Sequence, residues 1–152
     1  MKDYLMIIDR INDKFERFKL LVLQETKEVE ELEKFSLTPQ QEIIMLYIIR
    51  YEPAIANDIA KHLEISKSAI SQVLHKLEDD KMIYRQVNPS NRRESLIYLG
   101  DRGKAYYQVL TRIDQLLVEK YYSKVSLEEL NSVHDILTKI VGTTKTDMGD
   151  EK

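Results

Sequence analysis

The amino-acid sequence predicts a mainly α-helical protein that carries one small β-hairpin. Only four glycines and three prolines interrupt the 152 residues, which favours helices over a fold with many turns. Apolar residues recur at steps of three and four through most of the chain, which is the period of one helical face. Two short runs rich in Ile, Val, Tyr and Leu, on either side of residue 90, follow the strand pattern instead.

The composition is that of a globular domain with a hydrophobic core. Hydrophobic residues make up 43% of the chain and charged residues 32%, with a net charge of −3. The absence of cysteine excludes disulfides, thiolate metal sites and cysteine nucleophiles. The N-terminus lacks the apolar core of a secretory signal, and no apolar run is long enough to span a membrane. A cytoplasmic protein without membrane association is therefore expected.

The first predicted element is one long amphipathic helix over residues 4–34, a segment without glycine or proline. A second helix is predicted to start after Thr38, because Thr38 and Gln41 form a capping box and Pro39 suits the first helical position. Residues 43–49 are apolar all round. This second helix is therefore expected to be buried on most sides.

Two helical segments then follow in close succession, over residues 57–63 and from Lys67 to Asp79. They are joined by a three-residue connection that ends in Ser66, a good N-cap. The second segment has an apolar face with Ile70, Val73, Leu74 and Leu77. Its opposite face is polar and carries Ser68, Ser71, Gln72, His75 and Lys76. Two helices joined by a tight turn predict a helix-turn-helix motif.

The helical period is then lost. Met82–Val87 and Ser95–Leu99 are predicted to form two strands, joined by the turn-forming residues 88–94. Because this turn contains Arg92 and Arg93, the sequence predicts a β-hairpin with a cationic tip.

Two further helices complete the predicted fold. Asp101 is expected to cap a helix that runs to Tyr122, and Ser126 opens the last helix with a second capping box. The apolar stripe of the last helix is Leu127, Leu130, Val133, Leu137 and Ile140. Gly142 fits the end of this helix, and residues 143–152 are expected to form a flexible tail.

The order of these elements indicates DNA binding. In a helix-turn-helix the second helix enters the major groove, where Ser and Gln can hydrogen-bond base edges and Lys and His can reach phosphate or guanine. Arginines on a projecting turn suit a narrow minor groove, whose negative potential attracts them. The chain is thus predicted to be a winged helix-turn-helix protein.

The distribution of charge agrees with DNA binding, although the chain as a whole is acidic. Residues 57–104 contain nine basic and seven acidic side chains. Residues 1–56 contain eight and eleven, and residues 105–152 contain six and eight. Positive charge therefore lies on the predicted DNA-binding part, and negative charge lies on the flanking helices.

Other functions have less support. The histidines His62, His75 and His134 are not spaced to place two on one helical turn, so no metal site is expected. The sequence lacks a Gly-rich phosphate loop and the serine-hydrolase and metalloprotease motifs, so no enzymatic activity is predicted. The alternative is a helical adaptor that uses the same scaffold to bind a protein instead of DNA.

A set of motifs between residues 37 and 103 gives a more specific indication. They are Leu37-Thr38-Pro39-Gln40, Asp58-Ile59-Ala60, Ser66 to Ser71, Leu77 to Arg85 and Asn91 to Glu94, with Leu99 and Gly103. In this order and at these spacings, the motifs resemble those of the MarR family of bacterial winged-helix regulators. Outside residues 37–103 the resemblance consists of helix order alone.

The resemblance implies a homodimer with a helical dimerisation region at residues 1–34 and 101–142. It places the winged helix-turn-helix lobe at residues 36–100. Dimerisation is also favoured by the three apolar stripes of the flanking helices, which one small lobe cannot cover. The implied function is transcription regulation, and no cofactor is implied. The protein would be a repressor that binds a pseudo-palindromic operator, and a small aromatic or amphipathic effector would release it from DNA.

The predicted DNA contacts combine the polar helix face with the wing, and the resemblance makes Arg93 the wing arginine. They are Ser66, Lys67, Ser68, Ser71, Gln72, His75, Lys76, Arg85, Arg92 and Arg93. The residues that bind an effector stay open. The aromatic residues near the expected place are more typical of a core than of a pocket; they are Phe15, Phe18, Tyr47, Tyr106 and Tyr107.

Two positions depart from the family pattern. Asn91 stands where the family usually has Asp, two residues before the wing arginine. Asn offers a neutral hydrogen bond instead of an ion pair, so a looser wing is expected. Gly100 stands where the family tends to have Thr, and Asp101 is expected to take over the capping role.

Overall fold

The fold is known from a computed structural model that describes residues 1–24 and 26–142. Seven α-helices, one 3₁₀ turn and three strands are present in this part of the chain. They are α1 (Lys2–Leu23), α2 (Thr26–Glu33), α3 (Pro39–Arg50), β1 (Ala54–Ile55), α4 (Ala56–Leu63), α5 (Lys67–Asp79), β2 (Ile83–Val87), β3 (Ser95–Leu99), α6 (Asp101–Lys120), the 3₁₀ turn (Tyr122–Lys124) and α7 (Leu127–Val141). The predicted class, mainly helical with a hairpin, is confirmed, whereas the predicted tail at residues 143–152 lies outside the described residues.

The N-terminal segment forms two helices, so the prediction of a single helix over residues 4–34 is wrong. α1 ends at Leu23, and α2 begins at Thr26. The two helices pack on different partners. Phe18 of α1 lies edge-on to Tyr121 beyond the end of α6, with ring centroids 5.8 Å apart, whereas α2 lies along α6 itself. Because no glycine or proline marks this break, we attribute it to tertiary packing.

The capping box that starts α3 is confirmed. Thr38 Oγ1 accepts a hydrogen bond from the Gln41 amide at 3.2 Å, and Gln41 Oε1 accepts one from the Thr38 amide at 2.9 Å. Along the helix Ile44, Met45, Tyr47 and Ile48 are buried, as expected for most of its circumference. Ile43 and Leu46, however, are 51% and 38% exposed. One face of α3 is therefore apolar but not covered.

The three strands form one antiparallel sheet in the order β1-β3-β2. The predicted hairpin is confirmed, with Ile83 opposite Leu99 and Val87 opposite Ser95, but Met82 lies just before β2. β1 was not predicted, because a two-residue strand is too short to show a period. The Glu52 side chain continues this edge of the sheet, since its Oε1 accepts a hydrogen bond from the Leu99 amide at 2.8 Å.

The turn between α5 and β2 has the geometry of a Schellman motif. The Met82 amide donates to the Leu77 carbonyl at 2.8 Å, and the Lys81 amide donates to the Glu78 carbonyl at 2.9 Å. The side chains of Leu77 and Met82 are fully buried, which gives the apolar contact typical of this motif. Lys81 occupies the left-handed position with φ +57°, a place that glycine usually takes.

Two glycines allow the start of α6 to approach this turn. A Cβ atom on Gly100 would lie 2.4 Å from the Lys81 carbonyl oxygen, and one on Gly103 would lie 2.0 Å from the Met82 carbonyl oxygen. The expected capping role of Asp101 is wrong. Gly100 is the N-cap, no side chain caps the helix, and Asp101 is the first helical residue. Backbone contact at Gly100 leaves no room for the Thr of the family pattern.

The core lies between α3, α4, α5, the sheet and the first half of α6. α6 ends at Lys120, two residues before the predicted end at Tyr122. The capping box of α7 is confirmed by hydrogen bonds between Ser126 and Glu129, and the helix stops at Gly142. No residue of α1 or α7 is buried in the described chain. These two helices therefore leave their apolar stripes outside the core.

We predict that Lys81→Gly raises the free energy of unfolding by about 0.5–1 kcal/mol. The substitution removes the strain of a left-handed lysine, and the greater freedom of glycine in the unfolded chain offsets part of that gain. Denaturant unfolding followed by circular dichroism measures the change. Lys76→Gly, in the interior of α5, is the matched control and should lower the free energy by about 1 kcal/mol. A destabilised Lys81→Gly would contradict the assigned turn geometry.

Candidate nucleic-acid interface

The helix-turn-helix consists of α4 and α5. The turn between them contains Glu64, which has a left-handed backbone conformation, and Ser66, which is the N-cap of α5. Glu64 ends α4 with φ +53°, and the Ile65 amide donates to the Ala60 carbonyl at 3.0 Å. Ser66 then caps α5, because its Oγ accepts a hydrogen bond from the Ala69 amide at 3.2 Å. These bonds fix the angle between the two helices, and the predicted N-cap is confirmed.

α5 presents a polar face to solvent, as the sequence predicts. Ile70, Leu74 and Leu77 are fully buried and anchor its inner face. The predicted contacts on the outer face are all exposed: Ser66, Lys67, Ser68, Ser71, Gln72, His75 and Lys76. Short hydroxyl side chains near the N-terminus allow close approach of a partner, and Gln72 carries both a donor and an acceptor. Their contact with DNA stays a prediction.

The tip of the hairpin consists of two consecutive turns, each stabilised by an asparagine. The Asn91 amide donates to the Asn88 carbonyl at 3.2 Å, and the Glu94 amide donates to the Asn91 carbonyl at 3.0 Å. Asn88 Oδ1 also accepts from the Ser90 amide at 3.0 Å. This framework exposes Arg92 and Arg93 at the far end of the hairpin, where the sequence places the cationic tip.

Asn91, the first departure from the family pattern, contacts the wing arginine through the backbone. Its Oδ1 accepts a hydrogen bond from the Arg93 amide at 3.2 Å. An Asp at this position could accept the same bond, since only a carboxylate or amide oxygen is required. This bond goes to the Arg93 backbone and not to its guanidinium group, and it organises the turn. The looser wing expected from Asn91 stays a prediction.

Arg85 differs from the other nine predicted contacts, because its side chain is only 22% exposed. Its Nε lies 3.0 Å from Glu78 Oε2, at the end of α5. Both Nε and Nη2 are buried without a hydrogen-bond partner among the described residues, so the contact with Glu78 is an ion pair that lacks hydrogen-bond geometry. Arg85 thus lies between α5 and the hairpin, and its predicted contact with DNA stays a prediction.

A cavity of about 380 Å³ separates the N-termini of α4 and α5 from the hairpin. Lys67, Arg85 and Arg93 line it, with Glu94 as the single acidic side chain. Asn57 also lines this cavity, and its Oδ1 is buried without a hydrogen-bond partner in the described chain. Sequence reasoning missed Asn57 as a residue of this cavity, and it named Glu94 only as part of the Asn91–Glu94 motif. Lys67 and Arg93 border the same cavity. The N-terminus of α5, the recognition helix, and the tip of the wing therefore face the same side of the lobe.

The five aromatic residues near the expected effector site do not lie together in one site. Tyr106 is buried against Phe35, with ring centroids 5.2 Å apart, and burial and the nearby Glu42 raise its pKa to about 12. The rings of Tyr47 and His62 are in tilted contact with centroids 4.9 Å apart, and Tyr107 is exposed. Tyr47 and Tyr106 are therefore core residues.

Phe15 and Phe18 instead line an apolar groove of about 800 Å³ between α1 and α7. A second cavity, of about 410 Å³, lies between α2 and α6 and is lined by Lys34, Arg102 and Arg112, with Glu31 paired to Arg112. Within residues 1–24 and 26–142, no three His, Asp or Glu side chains are grouped so that they could hold a metal ion. No helix in that part of the chain is long and apolar enough to cross a membrane.

Comparison with known proteins shows which proteins this chain is similar to. The sequence profile of the MarR family matches residues 35–94. The HTH-type transcriptional repressor MdtR of Bacillus subtilis (strain 168) is 24% identical over 119 residues, which cover 78% of this chain and 77% of MdtR.

Solved structures agree with the sequence comparison. The MepR–DNA complex of S. aureus is 28% identical with a TM-score of 0.59, and the match covers 82% of this chain and 94% of MepR. S. aureus MepR bound to ethidium bromide has a TM-score of 0.63 at the same identity, with 86% and 93% covered. These relatives are transcriptional regulators and not enzymes, as the sequence predicts for this chain. The family profile and these relatives, together with the exposed polar helix and the arginine wing of this chain, support a DNA-binding transcriptional regulator similar to the MarR family.

Proposed function

We propose that the protein is a homodimeric repressor that binds a pseudo-palindromic operator in the cytoplasm and is released by a small-molecule effector. The observation that carries this proposal is the common orientation of α5 and the wing. Lys67 at the start of α5 and Arg93 at the hairpin tip border the same cavity. A duplex on this side of the lobe can meet α5 in its major groove and Arg92 and Arg93 in the adjacent minor groove.

The uncovered apolar stripes of α1 and α7 support a dimer. Ile7, Ile11 and Phe15 of α1 are about half exposed, as are Val133 and Leu137 of α7. All five line the groove between the two helices. A soluble monomer rarely exposes an apolar surface of this size, and a second copy of the chain would cover it. A two-fold dimer would place two recognition helices about 34 Å apart, one turn of B-DNA.

The repressor role and the effector are proposed from the relatives. MdtR is a transcriptional repressor, and MepR has been crystallised both with DNA and with ethidium bromide. In such a dimer the partner covers the groove between α1 and α7, and the cavity between α2 and α6 is left to accept an effector. A ligand there would contact α6, which runs from the DNA-binding lobe toward the proposed dimer interface.

We predict that replacing both wing arginines with alanine weakens operator binding and its dependence on salt. Each arginine that contacts a phosphate contributes about one to the slope of log affinity against log salt. The two arginines in both copies of a dimer together contribute up to about four. Fluorescence anisotropy between 50 and 200 mM salt, roughly the range over which such contacts are lost, measures the slope. Arg50→Ala/Lys104→Ala removes the same charge elsewhere and should leave the slope nearly unchanged. Equal affinity of the wing variant and the parent at every salt concentration would remove the wing from the interface.

Gln72→Ala is predicted to change sequence preference more than overall affinity. The amide of Gln72 can pair with adenine in the major groove, and loss of such a pair costs about 1–3 kcal/mol at one base position. Selection of bound fragments from genomic DNA, followed by comparison of the two recovered motifs, measures the change. Lys76→Ala is the control and should weaken all sequences alike. Uniform weakening by Gln72→Ala would make this residue a backbone contact, and recovery of no motif by the parent would favour the adaptor.

Leu137→Asp is predicted to convert the dimer to a monomer. A buried, unpaired carboxylate in each copy of an apolar interface is costly, whereas Leu137 is 44% exposed in the single chain, so the fold should tolerate the change. Light scattering gives the mass, and circular dichroism confirms retained helix. Val87→Asp, on an exposed apolar residue of the wing, is the control and should stay dimeric. A monomeric parent protein, or a dimeric Leu137→Asp, would contradict the proposed interface.

A further inference from the structure

The Glu78–Arg85 ion pair connects the recognition helix to the wing strand. Glu78 lies in the last turn of α5, and Arg85 is the third residue of β2. Glu78 Oε2 and Arg85 Nε are 3.0 Å apart, and the two side chains are 37% and 22% exposed. The pair therefore spans the turn between the two elements that are proposed to enter the two grooves.

Arg85 attaches the hairpin to α5 at a point beyond the turn between α5 and β2. Its partner across the sheet is Ile97, which is almost fully buried, and the nearest inward residue on the same strand is Ile83. Because side chains alternate along a strand, Arg85 and Ile83 share the face that packs toward the helices. The ion pair thus adds a second attachment between β2 and α5, two residues further along the wing than the buried Ile83.

This attachment directs the guanidinium group to the helix side of the lobe. Lys67 and Arg93 border the same cavity as Arg85, and both are exposed, whereas Arg85 is mostly buried. A phosphate in front of the lobe would meet the two exposed cations first. Glu78 also neutralises much of the charge that Arg85 would offer to DNA.

We propose that Glu78 and Arg85 are positioning residues, which hold the wing at the angle that brings Arg92 and Arg93 into the minor groove while α5 occupies the major groove. This inference rests on the proposed DNA-binding function. It replaces the direct contact that the sequence predicts for Arg85. Neither side chain touches DNA, and both act through the wing arginines.

The direction in which Glu78→Gln changes operator affinity tests the proposal. Glu78→Gln removes a negative charge from the DNA-binding lobe, which by electrostatics alone should strengthen binding to a polyanion. If the pair positions the wing, the same substitution weakens operator binding, by about threefold to tenfold. Asp79→Asn removes the same charge from the neighbouring exposed carboxylate and is the matched control, expected to leave binding unchanged or stronger. The readout is the operator dissociation constant from fluorescence anisotropy, with circular dichroism as the check of folding.

A double-mutant cycle separates positioning from direct contact. In the protein with native Arg92 and Arg93, Arg85→Met is expected to weaken operator binding. In the protein with alanine at both positions, Arg85→Met is expected to have no further effect on affinity, because Arg85 acts through the wing arginines. Additive losses of affinity and of salt slope would make Arg85 a phosphate contact and overturn the proposal. So would Glu78→Gln binding as tightly as Asp79→Asn. Absence of DNA binding by the parent protein would instead refute the proposed function, so the two failures are distinguishable.

Discussion

The backbone at Lys81 and Met82 is the constraint on which the rest of the structure depends. The recognition helix α5 ends there in a Schellman turn, and the wing strand β2 begins immediately afterwards. The start of α6 closes on the same carbonyls, because the Gly100 amide donates to Met82 at 2.9 Å and the Arg102 amide donates to Lys81 at 3.1 Å. Side chains at Gly100 and Gly103 would prevent this approach. The helix α5, the wing strand β2 and the helix α6 therefore meet at one backbone junction.

This junction explains how a small lobe can present two kinds of contact with a fixed separation. α5 is anchored by fully buried aliphatic residues, whereas the wing tip depends on turns stabilised by Asn88 and Asn91. The hydrophobic anchor is non-directional and large, and the hydrogen-bonded turns are directional and small. The base of the hairpin is thus held by buried aliphatic packing, and its exposed tip is held by hydrogen-bonded turns alone.

Many elements could be predicted from the sequence because their causes are local. The capping residues Thr38, Ser66 and Ser126 and the period of Ile70, Leu74 and Leu77 act within one or two helical turns, and the structure contains each of these features. The cationic tip at Arg92 and Arg93 was also visible, since turn-forming residues surround it. The break after Leu23 and the strand β1 were not visible, because each depends on a partner far away in the chain. The burial of Arg85 was not visible, because it depends on how β2 packs against α5.

The sequence by itself determined the mainly helical class, the helix-turn-helix with its polar face, and the acidic flanks around a basic lobe. Only the tertiary structure decided that Gly100 caps α6 in place of Asp101 and that Arg85 pairs with Glu78. It also decided that Asn57 borders the cavity between the N-termini of α4 and α5 and the hairpin. The physical reason is the range of the interactions. Capping, periodicity and turn chemistry operate between residues a few positions apart, whereas close backbone approach and burial are fixed by how separate elements pack.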